Sequence, residues 1–200
     1  MGNIFLTADL HIGEAQTPNT HSFLRPKPTA AMVDDLVDQC HRLITPADTL
    51  IIVGDVGITL GDLATCSRLP DCEKILILGD KEYASKHFTQ EEFMLENERL
   101  GIFTTVTRHS ITRIAGREYF LSHKPRDCIN PDHPAICGHV HGIWRSAKLP
   151  SGQPIINVGL DAWSGGIVTE EFIAHQYNAI TKDYYDSDCF PSEWKRNVLT

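Results

Sequence analysis

The sequence predicts an α/β fold: two packed mixed β-sheets flanked by helices. Three observations predict it. Apolar runs at residues 3–7, 49–53 and 74–78 are nearly continuous, as in strands buried on both faces. Segments with helical character stand at residues 30–44, 89–99 and 169–177. From residue 103 onward the pattern changes to short runs, at 103–106, 110–114, 118–121, 135–137 and 155–158. The order is β-α-β-α-β-α and then a series of short strands. The first half therefore reads as parallel and the second half as antiparallel.

The helix expected at residues 30–44 carries Met32, Val33, Leu36, Val37, Cys40, Leu43 and Ile44 at helical spacing, with Thr29 as N-cap and Pro46 closing it. Further helices are expected at 89–99 and 169–177. Residues 113–118 read as a hairpin around Ala115-Gly116. The loop 13–28, punctuated by Pro18, Pro26 and Pro28, is long enough to suggest a functional role. One domain is expected over residues 1–180. The polar tail 181–200 suggests no role.

Composition narrows the function classes. Two hundred residues suit one domain with a full-sized core. No apolar run approaches the roughly 20 residues that span a bilayer, and the N-terminal segment lacks the basic start of a signal peptide. Leu6 stands where a myristoylation site wants Ser or Thr. Cys40, Cys66, Cys72, Cys128, Cys137 and Cys189 form no C-x-x-C pair, so reduced thiols in a cytoplasmic protein are expected. A formal charge of −8 argues against a broad nucleic-acid surface or a stable nucleic-acid complex.

Seven residues stand at the ends of expected strands: Asp9 and His11, Asp55, Asp80, His123, and His139 and His141. Pairs at i and i+2 point the same way on an extended segment. Mixed carboxylate and imidazole ligands suit Mn, Fe, Zn or Ni better than Ca. Seven exceed the needs of one tetrahedral ion, which points to a two-metal hydrolytic site.

The motifs Asp9-Leu10-His11, Gly54-Asp55, Gly79-Asp80-Lys81-Glu82, His123 and Gly138-His139-Val140-His141 resemble the calcineurin-like metallophosphoesterase superfamily over about residues 3–173. Arg25-Pro26, Pro46-x-Asp48, His123-x-Pro125 and the run from Asn157 to Trp163 are similar to its small single-domain branch. The resemblance implies a metallophosphoesterase-type α/β/β/α sandwich and two divalent metal ions, manganese first. It assigns Asp9, His11 and His141 to one metal. Asp80, His123 and His139 would hold the other, and Asp55 would bridge them. A hydroxide between the metals would attack phosphorus. Asp55, His139 and Lys81 are the candidate catalytic residues, Lys81 and Arg25 the candidate substrate contacts.

The third motif departs from the family's G-N-H-[DE]. Asp80 replaces a neutral Asn, and Lys81 replaces the His implicated in phosphate contact or leaving-group protonation. The charges of Asp80 and Lys81 cancel, which suggests compensation between them. A lysine is a poor general acid near neutral pH, so good leaving groups are expected. Glu14 replaces a His and reads either as a partner of the metal ligands or as a solvated loop residue. Arg25 reads either as a phosphate contact or as the partner of a helix carboxylate. Trp144 and Trp163 read as base-stacking platforms or as packing, Asn157-Val158-Gly159 as structural, and Asp161 as a carboxylate orienting a metal-bound His. His21, His41, His87, His109, His133 and His175 match no motif.

The expected function is hydrolysis of a small phosphodiester or pyrophosphate, possibly nucleotide-like, ahead of a monoester. The alternatives are a nuclease or phosphomonoesterase of the same fold, or a metal- and phosphate-binding module impaired in catalysis. No membrane partner is expected.

Overall fold

The computed structural model describes residues 2–17 and 25–186. Pro18, His21, Cys189 and the tail beyond residue 186 lie outside them. In the first sheet, β1 (Ile4–Thr7), β2 (Thr49–Val53), β3 (Glu73–Ile77) and β4 (Thr105–Thr107) run parallel, and β10 (Val168–Thr169) is antiparallel beside β1. The second sheet holds β5 (His109–Ile114), β6 (Arg117–Ser122), β7 (Ala135–Cys137), β8 (Ser146–Lys148) and β9 (Pro154–Asn157), in the order β5-β6-β7-β9-β8.

Both sheets are mixed, but the second is not antiparallel throughout. The β5–β6 and β8–β9 pairs are antiparallel, whereas β6–β7 and β7–β9 are parallel. The connection 123–134 carries the chain back to its starting edge, as a parallel pair requires. Parallel neighbours leave their carboxyl ends on one edge, and this sets the position of the site.

Strand alternation divides the core. Leu50, Ile52 and Leu76 face α1 (Thr29–Leu43) and α4 (Gln90–Leu100), meeting Leu36, Val37 and Phe93. Leu6, Ile51, Val53 and Ile77 face the second sheet, where Ile114, Tyr119, Leu121, Ile136 and Ile156 interleave with them. α5 (Glu170–Thr181) adds Ile173 and Ile180 to this inner core. Truncating a buried residue such as Ile51 or Leu121 to Ala would cost about 2–5 kcal/mol.

Helix ends follow local chemistry. Thr89 caps α4 by accepting from Glu92 N at 3.2 Å, and Gly101 ends it at φ 64°. Thr169 caps α5. Thr29 is the first residue of α1 rather than its cap, and its hydroxyl accepts from Arg25 Nη1 at 3.4 Å. The two-residue β10, the three-residue β8 and the single-turn helices α2 (Leu60–Leu63) and α3 (Asp80–Tyr83) were not predicted, being too short for periodicity to register. After α5 the chain packs on β8, where Asp186 accepts from Arg145 N at 2.7 Å.

Cys40, Cys66, Cys72, Cys128 and Cys137 are free and buried, and burial pushes the Cys40, Cys66 and Cys128 thiols up to about 12. Among the described residues no helix is long and apolar enough to cross a membrane.

Candidate metal centre

The seven expected ligands come together. Asp9 and His11 follow β1, Asp55 follows β2, Asp80 opens the short α3 after β3, His123 follows β6, and His139 and His141 follow β7. Each lies beyond a strand's carboxyl end, where open α/β sheets collect ligands. Because β1, β2 and β3 are parallel, and β6 and β7 also, both sheets present these ends to the same place.

Convergence is not achieved by extended backbone. Asp9 (φ 60°), His11 (50°), Asp55 (55°), His139 (71°) and His141 (49°) are all left-handed. Asp and His tolerate this region better than most residues, but it still costs roughly 1–2 kcal/mol apiece. The strain is held by pairing between loops: Asp9 N donates to Gly54 O and His11 N to Asp55 O, each at 3.0 Å. A side chain at Gly159 would place its Cβ 2.7 Å from Asp9 Oδ2, so glycine permits the close approach of the backbone there.

The ligand atoms fall into the groups Asp9–His11–His141, Asp80–His123–His139 and Asp9–Asp55–His123, within each of which they lie no more than 4.8 Å apart. Asp55 stands between the first two. Its Oδ2 is 3.6 Å from His11 Nε2, and its Oδ1 is 3.4 Å from His123 Nε2. Donors sharing a cation at roughly 2.0–2.2 Å are separated by about 3–3.6 Å. His11 Nε2 and His123 Nε2 are buried without a hydrogen-bond partner, an arrangement a cation would relieve. His123 Nδ1 lies 2.8 Å from Val53 O, which as a donated hydrogen bond leaves Nε2 its lone pair. The residues therefore fit divalent metal.

Burial and mutual charge set the electrostatics of the cluster. Burial opposes ionisation of Asp55, yet His123 and then His11 hold its carboxyl far below the usual range. Burial would likewise lower His123, but the adjacent Asp55 charge raises it to about 10. Burial and charged His123 bring His139 down to about 4.

Supporting residues fix both sides. Glu82 accepts from Val56 N at 2.7 Å, Gly79 N at 2.8 Å and Asp55 N at 3.1 Å, tying the β2 and β3 loops together. Burial and then Asp55 raise its carboxyl to about 7, against the pull of those amides. Asn157 donates to His141 O and Trp144 O and accepts from Gly159 N, so it is structural as expected. The Asp161 carboxylate meets His141 Nδ1.

Arg25 stands behind the loop after β1. Its guanidinium is buried, donating to Asp161 Oδ1 at 2.7 Å, Leu10 O at 2.9 Å and Asp9 O, and among the described residues it pairs with no helix carboxylate. With these donors turned inward, Arg25 ties the loop after β1 to Asp161.

Lys81 and Asp80 do not pair with each other. Lys81 Nζ lies 3.2 Å from Glu14 Oε1, itself 3.5 Å from His11 Nδ1. Asp80 Oδ1 instead meets Lys124 Nζ at 2.5 Å. α3 directs consecutive side chains apart, so the compensating cation comes from the next residue after His123. Lys124 stands within the His123-x-Pro125 segment, and its adjacency to a ligand was the one signal in the sequence. Trp144 is buried in the packing outside the second sheet. Trp163 packs edge-on to Phe172 and donates to Asn157 O at 2.8 Å. Neither forms a base platform.

No family model and no curated protein sequence matches the chain. Among solved structures, a protein of unknown function from Aquifex aeolicus superposes with a TM-score of 0.62, at 20% identity over 88% of this chain and 99% of its own. An archaeal phosphodiesterase gives 0.48, at 13% identity over 78% and 83%. A phosphopantetheinyl hydrolase from Mycobacterium tuberculosis gives 0.46, at 11% identity over 79% and 89%. The Aquifex aeolicus protein shares the fold, two five-stranded mixed sheets packed together and flanked by helices.

Proposed function

We propose that this chain is a cytoplasmic, binuclear metal-dependent phosphoesterase that hydrolyses a small phosphodiester or pyrophosphate. The observation that carries the reading is the pair of ligand triads with Asp55 between them, one carboxylate oxygen toward each side. Asp9, His11 and His141 would hold one divalent ion, Asp80, His123 and His139 the other. When bound, manganese or a similar ion would polarise the phosphoryl oxygens and make a water nucleophilic near neutral pH.

The remaining chemistry belongs to the chain. Asp55, held ionised, keeps the two halves in register. His139 is partly open to solvent and stands where substrate enters. Lys81 and Lys124 border the opening and supply positive charge to a phosphate. With lysine in place of histidine at position 81, leaving-group protonation is weak, which favours substrates with good leaving groups. The acidic surface fits a small substrate better than a long duplex.

A second reading is a metal- and phosphate-binding module without turnover. It is favoured by Lys124 sitting on the Asp80 ligand while Lys81 is engaged by Glu14. Hydrolysis of matched aryl phosphate mono- and diesters with manganese, with a chelator and with Asp55→Ala, separates the two. Chelator-sensitive turnover that favours diesters and is abolished in Asp55→Ala supports the enzyme. Two metals bound per chain without turnover supports the module, and no metal uptake sinks both.

A further inference from the structure

A cleft of about 710 Å³ opens from Asp80 and His123, at the half of the centre nearest solvent, and extends along the outer face of β5 and β6. It lies within the size range of pockets for small organic ligands. Its walls combine two chemistries. Phe120, Tyr83 and Ile129 give it apolar surface, with Tyr83 50% and Ile129 80% exposed. His109 stacks on Phe120 at 5.8 Å, extending that wall as a ring layer. Arg108 lies over the Tyr83 ring, 3.9 Å from its centroid.

Large apolar side chains left this exposed beside a polar site mark a surface that something covers. Arg108 identifies what. It is exposed, and among the described residues it forms no ion pair. The ring beneath it fixes its plane, leaving its donors available to an anion. Arg126 adds a second cation, shared with Asp127 at 3.8 Å, and Asp132 offsets part of the charge further along. The unpaired positive charge is therefore concentrated near Arg108.

We propose that this cleft receives the leaving half of the substrate, and that this half is nucleotide-like: a planar ring lying along Phe120 and Tyr83, with a further negative charge held by Arg108. The inference rests on the phosphoesterase reading and deepens it. A simple inorganic pyrophosphate or an alkyl phosphate would leave the aromatic layer unused. A long nucleic acid would meet the protein's net negative charge outside the cleft.

Full-length protein is first titrated with manganese. Binding of α,β-methylene adenosine diphosphate to the loaded protein is then compared with that of methylenebisphosphonate, which has the same bridged phosphorus pair and no ring. The nucleoside analogue should bind at least tenfold more tightly. Arg108→Ala should remove most of that advantage, Arg108→Lys part of it, and neither should shift the melting temperature by more than a few degrees. Equal affinities of the two compounds, or an advantage unchanged in Arg108→Ala, overturns the cleft assignment while leaving the metal centre standing. Failure to take up manganese overturns the phosphoesterase reading, and the cleft assignment with it.

Discussion

The two halves of the candidate centre are built from the same ligand types but in opposite ways. Asp9, His11 and His141 are buried, all three on left-handed backbone, and braced from behind by Asp161 and Arg25. Asp80 and His139 are partly exposed, and their half is crossed by Lys124 and opens into the cleft. Only His123 in that half is deeply buried. One half is preorganised by the fold. The other is exposed to solvent, and its charge can be adjusted by neighbouring side chains.

The largest difference should appear in stability. Arg25→Ala leaves the Asp161 carboxylate and the carbonyls of Asp9 and Leu10 without their donor, and should cost about 3–5 kcal/mol in denaturant unfolding. Lys124→Ala should cost less than about 1 kcal/mol, because its partner is more than a third exposed. Equal losses would break the contrast.

Metal affinity should divide next. Burial works against the charged forms of both Asp161 and His141, yet the hydrogen bond between them lowers the Asp161 carboxyl and raises the His141 imidazole. Asp161→Asn should therefore weaken the first metal roughly 10–100-fold. Calorimetric titration should show the second metal much less affected.

The pH dependence follows from His123. In the metal-free protein its pKa is raised to about 10, above the ordinary value of 6.5. Its stabilising contact with Asp55 is fully present below about 6.5 and is lost as pH rises through about 10. Metal must displace that proton, so affinity at the Asp80–His123–His139 side should rise by up to about tenfold per pH unit between 7 and 9. Metal binding should release a proton, seen as a buffer-dependent binding enthalpy. A flat profile would mean His123 is already neutral.

The smallest effects concern the two lysines. Lys124→Met removes a cation competing for Asp80 and should tighten the second metal by about fivefold, roughly 1 kcal/mol. Lys81→Ala should be additive with Asp80→Asn in turnover, since the two side chains do not meet. Asp80→Asn and Lys124→Met should instead be coupled. Coupling of Lys81 with Asp80 would restore the pairing expected from the sequence.

How much could be read in advance varied with the kind of information needed. Strands β1, β2 and β3 were legible because burial on both faces makes them continuously apolar, and α1 because its stripe is long. The clustering of the seven candidate ligands was legible because their residue types are rare together at strand ends. The partners of Arg25, Lys81 and Asp80 were not, because each lies far away in the chain or across a turn whose direction local sequence leaves open. The parallel pairing of β6 with β7 was hidden for a related reason: short apolar runs carry no sign of direction. The cleft was missed because His109, Arg108 and Ile129 look like ordinary surface residues until the second sheet brings them beside His123.

By itself the sequence determined the layered α/β architecture and the inventory of candidate metal-binding groups, since hydrophobic periodicity and ligand chemistry are local properties. Tertiary structure decided which groups face one another. It turned Asp9, His11, Asp55, His139 and His141 inward on left-handed backbone, gave Asp80 to Lys124 instead of its neighbour, and buried Arg25 behind the site. These outcomes depend on the parallel register of strands distant in sequence, and on loop–loop hydrogen bonds that hold strained conformations no isolated segment would keep.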